Sequence, residues 1–245
     1  MADCDLESFG EPIRAIVFGA GGGIGGALMQ ALTTHPKIEF CRGTYFRQGA
    51  THTLSQLDIT DEAALAHHAQ AWRSQGPFHL ILNATGLLHS DEVHPEKRVQ
   101  DLSASQLMAQ FSINTIGPAL LYKHFLPLLA PTGKAVFAHL SARVGSISDN
   151  QIGGWYGYRA AKAAQNMITR TASIEWARRR AEAILVGLHP GTVDTALSKP
   201  FQRGVSESQL VTPAIAAQNL LRVIDQLTPA QTGQVLAWDG QIIPY

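Results

Sequence analysis

Short apolar runs rich in β-branched and aromatic residues recur along the chain, and longer stretches with apolar residues at helical spacing separate them. A continuous apolar run of this length is typical of a strand that is buried on both faces of a parallel sheet. The runs predict strands at 13–18, 40–46, 53–57, 78–82, 134–140, 183–188 and 234–238. The intervening stretches predict helices at about 23–34, from Thr60 or Asp61 to about 74, at 103–129, from about Tyr158 to about Arg180, and at 212–227.

The alternation of strands and helices predicts the architecture. Strands joined by helices at short intervals form a doubly wound parallel sheet. We therefore expect an α/β fold with about seven strands flanked by helices, in a single domain that spans 13–245. Residues 1–12 are acidic and have no apolar core, so we expect a flexible N-terminal tail and no signal peptide.

Composition narrows the expected partners. The 245 residues include 19 Lys+Arg and 19 Asp+Glu, and this zero net charge favours neither nucleic acid nor an acidic membrane surface. No apolar run reaches membrane-spanning length, which leaves small molecules as the expected partners. The two cysteines, Cys4 and Cys41, and the ten histidines show no metal-ligand spacing. We therefore expect no metal site. So few cysteines suit a reducing compartment, and with neither a signal peptide nor a membrane-spanning run predicted we expect a cytoplasmic protein.

A glycine-rich turn follows the first predicted strand, in the sequence Gly19-Ala20-Gly21-Gly22-Gly23-Ile24-Gly25-Gly26. Main-chain N–H groups in such a turn can approach a phosphate at a helix N-terminus. Two registers fit: Gly21, Gly23 and Gly26, or Gly19, Gly23 and Gly25. We prefer the second, because the strand ends immediately before Gly19. No Lys-Ser or Lys-Thr follows, which argues against a nucleoside triphosphatase, whereas a methyltransferase remains an alternative.

The ends of the next strands carry further candidate cofactor residues. No Asp or Glu stands at the end of the second strand, where a dinucleotide enzyme normally selects its ribose. Arg47 stands there instead and can pair with a 2′-phosphate, which favours NADP(H) over NAD(H), although NAD(H) stays open. Asp58 can accept a hydrogen bond from an adenine amino group. Asn83 and Ala84 follow the fourth strand, at the sheet edge where ligands collect.

Tyr158 and Lys162 are candidate catalytic residues. They lie four residues apart near the start of a predicted helix, and such residues share one helix face. A phenol has a pKa near ~10, and an adjacent ammonium lowers that value by stabilising phenolate. The pair is therefore an acid/base candidate, although a Tyr and a Lys at this spacing are more often ordinary surface residues.

Three other positions can lie near this pair. Gly117-Pro118 removes an N–H from the long helix at 103–129 and predicts a bend with free carbonyl groups, close to Asn114. Ser141 follows the fifth strand, where its hydroxyl can polarise a carbonyl or cap a turn. Pro190-Gly191 begins a rigid turn after the sixth strand, whose backbone can meet the far end of a cofactor.

In this order, these residues resemble the short-chain dehydrogenase/reductase family. The resemblance covers the chain from about Ile13 onward. It rests on Gly19, Gly23 and Gly25, on Asn83, on Asn114, on Tyr158 with Lys162, and on Pro190-Gly191. The runs Val144-Gly145-Ser146-Ile147 and Gly153-Gly154-Trp155-Tyr156 are similar to the C-factor-like branch of small carbonyl-reductase-type proteins.

The resemblance implies a Rossmann-type fold and a role for each matching residue. Tyr158 would be the general acid/base, Lys162 would hold the nicotinamide ribose and lower the pKa of the phenol, and Asn114 would anchor a water. Val193 and Thr195 would line the nicotinamide. The expected cofactor-binding residues are Gly19, Gly23, Ile24, Gly25, Arg47, Asp58, Asn83, Ala84, Tyr158, Lys162, Pro190, Gly191, Val193 and Thr195.

One departure from the family pattern affects the expected catalysis. Family members commonly have Ser-Ser-x-x-Gly after the fifth strand, whereas this chain has Ser141-Ala142-Arg143-Val144-Gly145. Ala142 stands where the substrate-facing hydroxyl is expected. Ser141 is our candidate replacement and Ser146 an alternative. Loss of one oxyanion-type donor typically lowers the rate about 100-fold or more.

The expected function is an NADP(H)-dependent carbonyl reductase or alcohol dehydrogenase that acts on a small carbonyl or alcohol. The alternative is a dinucleotide-binding regulatory protein with weak or no turnover. An apolar substrate pocket is expected from Trp155, Tyr156, Leu87, Leu88 and the segment 197–201. The alanine-rich helix around Tyr158, together with the family resemblance, suggests a homodimer or homotetramer.

Overall fold

One eight-stranded sheet crosses the part of the chain that the computed structural model describes, which is residues 5–10, 12–46, 54–204, 206 and 209–245. The strands in chain order are β1 Ile13–Phe18, β2 Ile38–Tyr45, β3 Leu54–Gln56, β4 Leu80–Asn83, β5 Ala135–Leu140, β6 Ala183–His189, β7 Thr192–Val193, β8 Leu210–Val211, β9 Val235–Ala237 and β10 Ile242–Ile243. Strands β7 and β8 pair separately as a small second sheet.

The order across the main sheet is β3-β2-β1-β4-β5-β6-β9-β10. Every neighbouring pair is parallel except β9 and β10. The seven predicted strands are therefore the seven parallel ones, and the doubly wound α/β fold is confirmed. β10, β7 and β8 were not predicted, because two residues are too few to show periodicity. The direction of winding reverses between β1 and β4, and this switch point is where open parallel sheets bind ligands.

Helices cover both faces of the sheet, and alternate strand residues point to opposite faces. On β1, for example, Ala15 and Val17 enter one core and Ile16 and Phe18 the other. The helices are α1 Gly23–Thr34, α2 Glu62–Trp72, α3 Ala104–Phe111, α4 Gly117–Phe125, α5 Tyr156–Ala177 and α6 Pro213–Gln226. α1 and α6 pack on the first core, whereas α2, α4 and α5 pack on the second. Within the described ranges, no helix is long and apolar enough to cross a bilayer.

The long helix predicted at 103–129 is interrupted. A π-helical turn at Ser112–Ile116 separates α3 from α4 and contains Asn114, close to the irregularity expected from Gly117-Pro118. Pro118 lies in the first turn of α4, where a missing N–H disturbs a helix least. In a regular helix the N–H of residue 118 would bond to the carbonyl of Asn114, so the proline removes that donor.

The N-terminal segment corrects one expectation. Leu6 and Phe9, in the stretch expected to be a flexible tail, are buried at 0% and 4% exposure in the core beneath α6. Ser8 donates to the carboxylate of Asp225 on α6 at 2.6 Å, and the ammonium of Lys134 lies 4.9 Å from the Phe9 ring centroid. Residues 5–10 therefore pack onto the domain. The polar composition of the stretch gave no indication that Leu6 and Phe9 would be buried.

Candidate active site

Three loops converge at the carboxyl edge of the sheet, beside the switch point. A Cβ atom built on Gly19 would lie 3.0 Å from both the carbonyl carbon of Ala84 and the nitrogen of Thr85. A Cβ atom on Gly23 would lie 2.7 Å from Cγ2 of Thr195. The loops after β1, β4 and β6 are thus in contact. The structure brings together candidate residues that are far apart in the sequence.

The glycine turn has the geometry of an anion site. Gly19 has a φ of 81°, in the left-handed region, and a Cβ on Gly25 would overlap the carbonyl oxygen of Gly19. These contacts favour the register of Gly19, Gly23 and Gly25. Gly22 and Gly23 are exposed at the start of α1, whose first turn holds no acidic side chain. The N–H of Gly22 donates to the carbonyl of Gly19 within the turn. The N–H groups of the first helical turn, which begins at Gly23, and the positive end of the helix dipole suit the phosphates of a dinucleotide.

Tyr158 and Lys162 lie on the first turns of α5, and both are buried. Their exposed fractions are 8% and 2%, and Nζ of Lys162 lies 5.8 Å from the Tyr158 ring centroid. Nζ donates to the carbonyl oxygen of Leu140 at 2.8 Å and to Oε1 of Gln165 at 3.0 Å. The two side chains are therefore adjacent, and the ammonium group is held by the carbonyl of Leu140 at the end of β5 and by Gln165 on α5.

Burial shifts the two groups in opposite directions. Desolvation raises the pKa of Tyr158 to about 12 and lowers the pKa of Lys162 to about 7. Lys162 was expected to lower the pKa of the phenol. In the protein without cofactor, burial raises that pKa instead. A buried amine that is only partly protonated at neutral pH, and turned toward Leu140 and Gln165, does not offset the loss of water around the phenol. Tyr158 is thus a protonated acid at neutral pH.

Asn114 fixes the loop that follows β4. Its Oδ1 accepts from the N–H of Leu87 at 3.0 Å, and its Nδ2 donates to the carbonyl of Leu87 and to Oε1 of Gln110, both at 2.7 Å. Both amide hydrogens are therefore used. A role in anchoring water would fall to its main-chain carbonyl, in the turn where Pro118 lacks a donor.

Ser141 does not offer a free hydroxyl. Its Oγ donates to Oδ1 of Asn166 on α5 at 2.6 Å, and the residue is 4% exposed. The expectation that this hydroxyl polarises the substrate carbonyl is therefore corrected, because the hydroxyl joins β5 to α5 instead. Ser146, the alternative, accepts from the N–H of Asp149 at 3.1 Å and is also buried. Ala142 is half-buried and leads into the short helical turn Arg143–Gly145.

Asn83 and Asp58 brace the chain with their side chains. Oδ1 of Asn83 accepts from the N–H and the hydroxyl of Thr85 at 3.1 and 2.6 Å, and its Nδ2 lies 3.0 Å from Nδ1 of His139. Burial, and secondarily the charge of Lys162, lowers the pKa of His139 to about 3. Oδ1 of Asp58 accepts from the N–H and hydroxyl of Thr60. Asp61 caps α2 by accepting from Ala64.

Two predicted positions of the nucleotide side remain to be described, Ile24 and Arg47. Ile24 is half-buried in the first turn of α1. Arg47, expected to select the phosphate, lies outside the described residues.

The turn after β6 is compact. Gly191 has a φ of 79°, Val193 is buried, and Pro190 is half-buried. Oγ of Ser198 accepts from the N–H of Thr195 at 3.3 Å and donates to the carbonyl of Val193 at 2.5 Å. These bonds fix Thr195 within the turn, with its methyl group next to Gly23 at the start of α1.

An aromatic wall stands beside Tyr158. The ring of Trp155 lies 6.4 Å from that of Tyr158 and 5.0 Å from that of Phe201, and the ring of His89 lies 5.6 Å from Phe201. The structure thus brings Trp155 and the 197–201 segment together, as expected for an apolar pocket. Tyr156 is more exposed, at 39%, and is outside this ring series.

Comparisons with known proteins identify the family. The family model described as enoyl-(acyl carrier protein) reductase matches residues 43–240. The 1-hydroxy-2-glutathionyl-2-methyl-3-butene dehydrogenase of Rhodococcus sp. (strain AD45) is 31% identical over 190 residues, which cover 77% of this chain and 78% of that protein. The chain belongs to the short-chain dehydrogenase/reductase family. The predicted class, an oxidoreductase of this family, is confirmed.

Two further relatives are informative. The C-signal protein of Myxococcus xanthus is 33% identical over 145 residues, which cover 59% of this chain and 82% of that protein. The crystal structure of NADPH-bound carbonyl reductase from chicken fatty liver superposes with a TM-score of 0.83 at 23% identity, covering 99% of this chain and 98% of that one. At this identity the structural likeness shows the short-chain dehydrogenase/reductase fold.

Sequence reasoning missed several residues that support this short-chain dehydrogenase/reductase site. Thr44 braces the glycine turn, since its Oγ1 accepts from Gly19 and its carbonyl from Ala20. Gln165 holds Lys162, and Glu96 contacts the start of α5. Gln110 could have been found, because it stands one helical turn before Asn114. Glu96 could not, because nothing in the sequence distinguishes it from the other charged residues of its loop.

Replacing Lys162 with Met tests the burial of this charge. The pKa of Lys162 is about 7 in the native chain and 10.5, its ordinary value, in the unfolded chain. Between these two pH values the unfolded chain binds the proton and the native chain does not, so the free energy of unfolding rises with pH. The free energy of unfolding of the wild type should therefore rise relative to Lys162→Met by roughly 2–3 kcal/mol between about pH 7 and about pH 9.5. Urea unfolding at both pH values measures this difference.

The control is Lys97→Met, which alters an exposed lysine. It should show no such change between the two pH values. A pH-independent difference between wild type and Lys162→Met would contradict the assigned pKa of Lys162.

Proposed function

We propose that the chain is an NADP(H)-dependent carbonyl reductase or alcohol dehydrogenase in which Tyr158 is the proton donor. The observation that carries the proposal is a buried, protonated phenol, paired with Lys162, at the sheet edge where the glycine turn offers an anion site. The name of the NADPH-bound carbonyl reductase from chicken supports the choice of cofactor.

Residues of three loops would hold the dinucleotide. Gly23, Ile24 and Gly25 would bind its phosphates through main-chain N–H groups. Gly19 would shape the turn around them, since its own N–H donates to Thr44. Asn83 and Ala84 would contribute main-chain groups, since the Asn83 side chain is already bonded. The residues expected at the nicotinamide end are Pro190, Gly191, Val193, Thr195, Tyr158 and Lys162. When bound, the reduced dinucleotide supplies a hydride for the carbonyl carbon.

Tyr158 would donate its proton to the carbonyl oxygen of the substrate as charge develops there. The high pKa of the phenol keeps the proton available at neutral pH and suits the reductive direction. Lys162 would stabilise the phenolate that remains, and its pKa of about 7 allows it to hold a proton near neutral pH. Asn114 would support the site by holding Leu87 at the loop after β4.

The substrate pocket would be apolar on one side. Trp155, Phe201 and His89 form the aromatic wall beside Tyr158, and Ala142 adds a methyl group where many family members have a hydroxyl. With Ser141 bonded to Asn166, polarisation of the carbonyl would rest mainly on Tyr158. An apolar aldehyde or ketone fits these walls better than a polyol.

A second candidate is a dinucleotide-binding regulatory protein with little turnover. The missing hydroxyl at Ala142 favours it, as does the similarity to a relative named C-signal. The two functions differ in one measurable respect. Saturable NADPH binding without turnover on a panel of apolar aldehydes, ketones and alcohols would favour the regulator.

Tyr158→Phe tests the proposed acid. NADPH oxidation with a competent carbonyl should fall by about 100-fold to 10,000-fold, because the reaction loses its proton donor. Stabilisation by NADPH in a thermal-shift assay should persist, since the ring remains. Tyr156→Phe, two residues earlier on the same helix, is the matched control and should retain wild-type turnover. Equal rates for Tyr158→Phe and wild type would exclude the assigned role.

Cofactor selection is tested by comparing NADPH with NADH. If Arg47 pairs with the 2′-phosphate, Arg47→Ala should weaken NADPH binding by about 10-fold or more and leave NADH binding unchanged. Arg178→Ala, at the exposed end of α5, controls for the general loss of positive charge. Equal wild-type affinities for the two dinucleotides would remove the case for phosphate selection.

A further inference from the structure

Glu96 lies in the loop between β4 and α3, yet it contacts the start of α5 through both its main chain and its side chain. The N–H of Trp155 donates to the carbonyl oxygen of Glu96 at 2.5 Å, and the N–H of Gly157 donates to Oε2 at 3.1 Å. Glu96 is 4% exposed. A residue some sixty positions earlier in the chain therefore caps the helix that carries Tyr158.

The backbone before α5 needs such a restraint. Gly153, Gly154 and Trp155 all have φ in the left-handed region, at 71°, 66° and 53°. This conformation is unfavourable for a residue with a bulky side chain and persists only when the surrounding structure holds it. Helix α5 has no side-chain cap of its own and no acidic residue in its first turn. Glu96 supplies both the hydrogen bonds and the negative charge that a helix N-terminus favours.

Gly157 permits the close approach of the carboxylate. A Cβ atom at this position would lie 2.9 Å from Oε1 of Glu96, closer than carbon and oxygen normally approach. The next residue along the helix is Tyr158. The restraint therefore acts on the residues immediately before the proposed acid, and on Trp155, whose ring faces both Tyr158 and Phe201.

The second oxygen of this carboxylate makes the contact unusual. Oε1 is buried, and no described residue donates a hydrogen bond to it. A buried carboxylate with one unmatched oxygen is a costly way to cap a helix, because Ser, Thr or Asp at the N-cap would satisfy the same N–H groups with less burial of charge. Besides capping the helix, Glu96 contacts the residues that flank the Trp155 and Tyr158 rings in the chain.

We propose that Glu96 is a positioning residue for the reaction proposed above, holding the start of α5 so that the Trp155 ring and the Tyr158 phenol keep fixed positions relative to the substrate. It does not touch the reacting atoms. A displacement of the order of 1 Å at a catalytic group lowers rates by about 100-fold, so loss of the restraint should affect turnover more than cofactor binding.

The test compares Glu96→Ala, Glu96→Gln and Gly157→Ala with wild type. Amide hydrogen exchange of the peptide around Gly157 reports the restraint without requiring turnover. Glu96→Ala should exchange this amide about 10-fold faster or more, whereas Glu96→Gln keeps an acceptor oxygen and should stay near wild type. The kcat of Glu96→Ala, per NADPH-binding site, should fall by about 10-fold or more, while its NADPH affinity stays within about 2-fold of wild type. Glu96→Gln should keep most of the wild-type kcat.

Gly157→Ala keeps the carboxylate but displaces it, while alanine favours the helix more than glycine does. Its kcat should fall as in Glu96→Ala, which separates positioning from simple unfolding. Glu92→Ala, an exposed glutamate of the same loop, should match wild type in both readouts.

Wild-type exchange and kcat in Glu96→Ala, or full kcat in Gly157→Ala, would overturn the proposal. If the wild type turned over no carbonyl at all, the proposed function would fail, and the exchange measurement would still decide whether Glu96 restrains α5.

Discussion

The removal of water from Tyr158 and Lys162 is the constraint on which the rest of this site depends. A phenol and an ammonium in one buried space respond in opposite ways, because each loses the stabilisation of its charged form. The phenol therefore keeps its proton, and the amine holds its proton weakly. The amine stays in the interior because Leu140 and Gln165 accept its hydrogen bonds. It also requires Gly145, where a Cβ atom would lie 2.8 Å from Cβ of Lys162.

The fold supplies this burial by bringing loops together at one edge of the sheet. Winding in both directions from β1 and β4 leaves a switch point there, and the glycine turn and the turn at Thr195 meet beside it. The π-helical turn before α4 places Asn114 where it can hold Leu87. The candidate anion site at the start of α1 and the proposed proton donor on α5 thereby lie at one edge of the sheet, as hydride transfer to a bound carbonyl would require.

The elements that could be predicted from the sequence are those determined by local pattern. The apolar runs located the parallel strands because a strand buried on both faces has few polar residues. The preferred glycine register agrees with the geometry at Gly19 and Gly25, where a side chain would be strained or would overlap the backbone.

The errors and omissions involve contacts between distant segments. Ser141 was assigned a catalytic role from its place at a strand end, but its hydroxyl bonds to Asn166, a partner that no local pattern indicates. Leu6 and Phe9 belong to a stretch of polar composition, yet they complete a core whose members extend to Leu236, 230 positions after Leu6. The pKa of Tyr158 depends on how much water remains around it, which only the folded chain determines. Glu96 was missed because its burial does not depend on its sequence neighbours.

The most direct test of this account is a titration of the Tyr158 phenol, taken as the ultraviolet phenolate signal of the wild type minus that of Tyr158→Phe in the absence of cofactor. Burial predicts that the phenolate appears only toward a pH of about 12. A midpoint below the ordinary phenol pKa of 10 would contradict the account, because Lys162 and not desolvation would then control the proton of Tyr158.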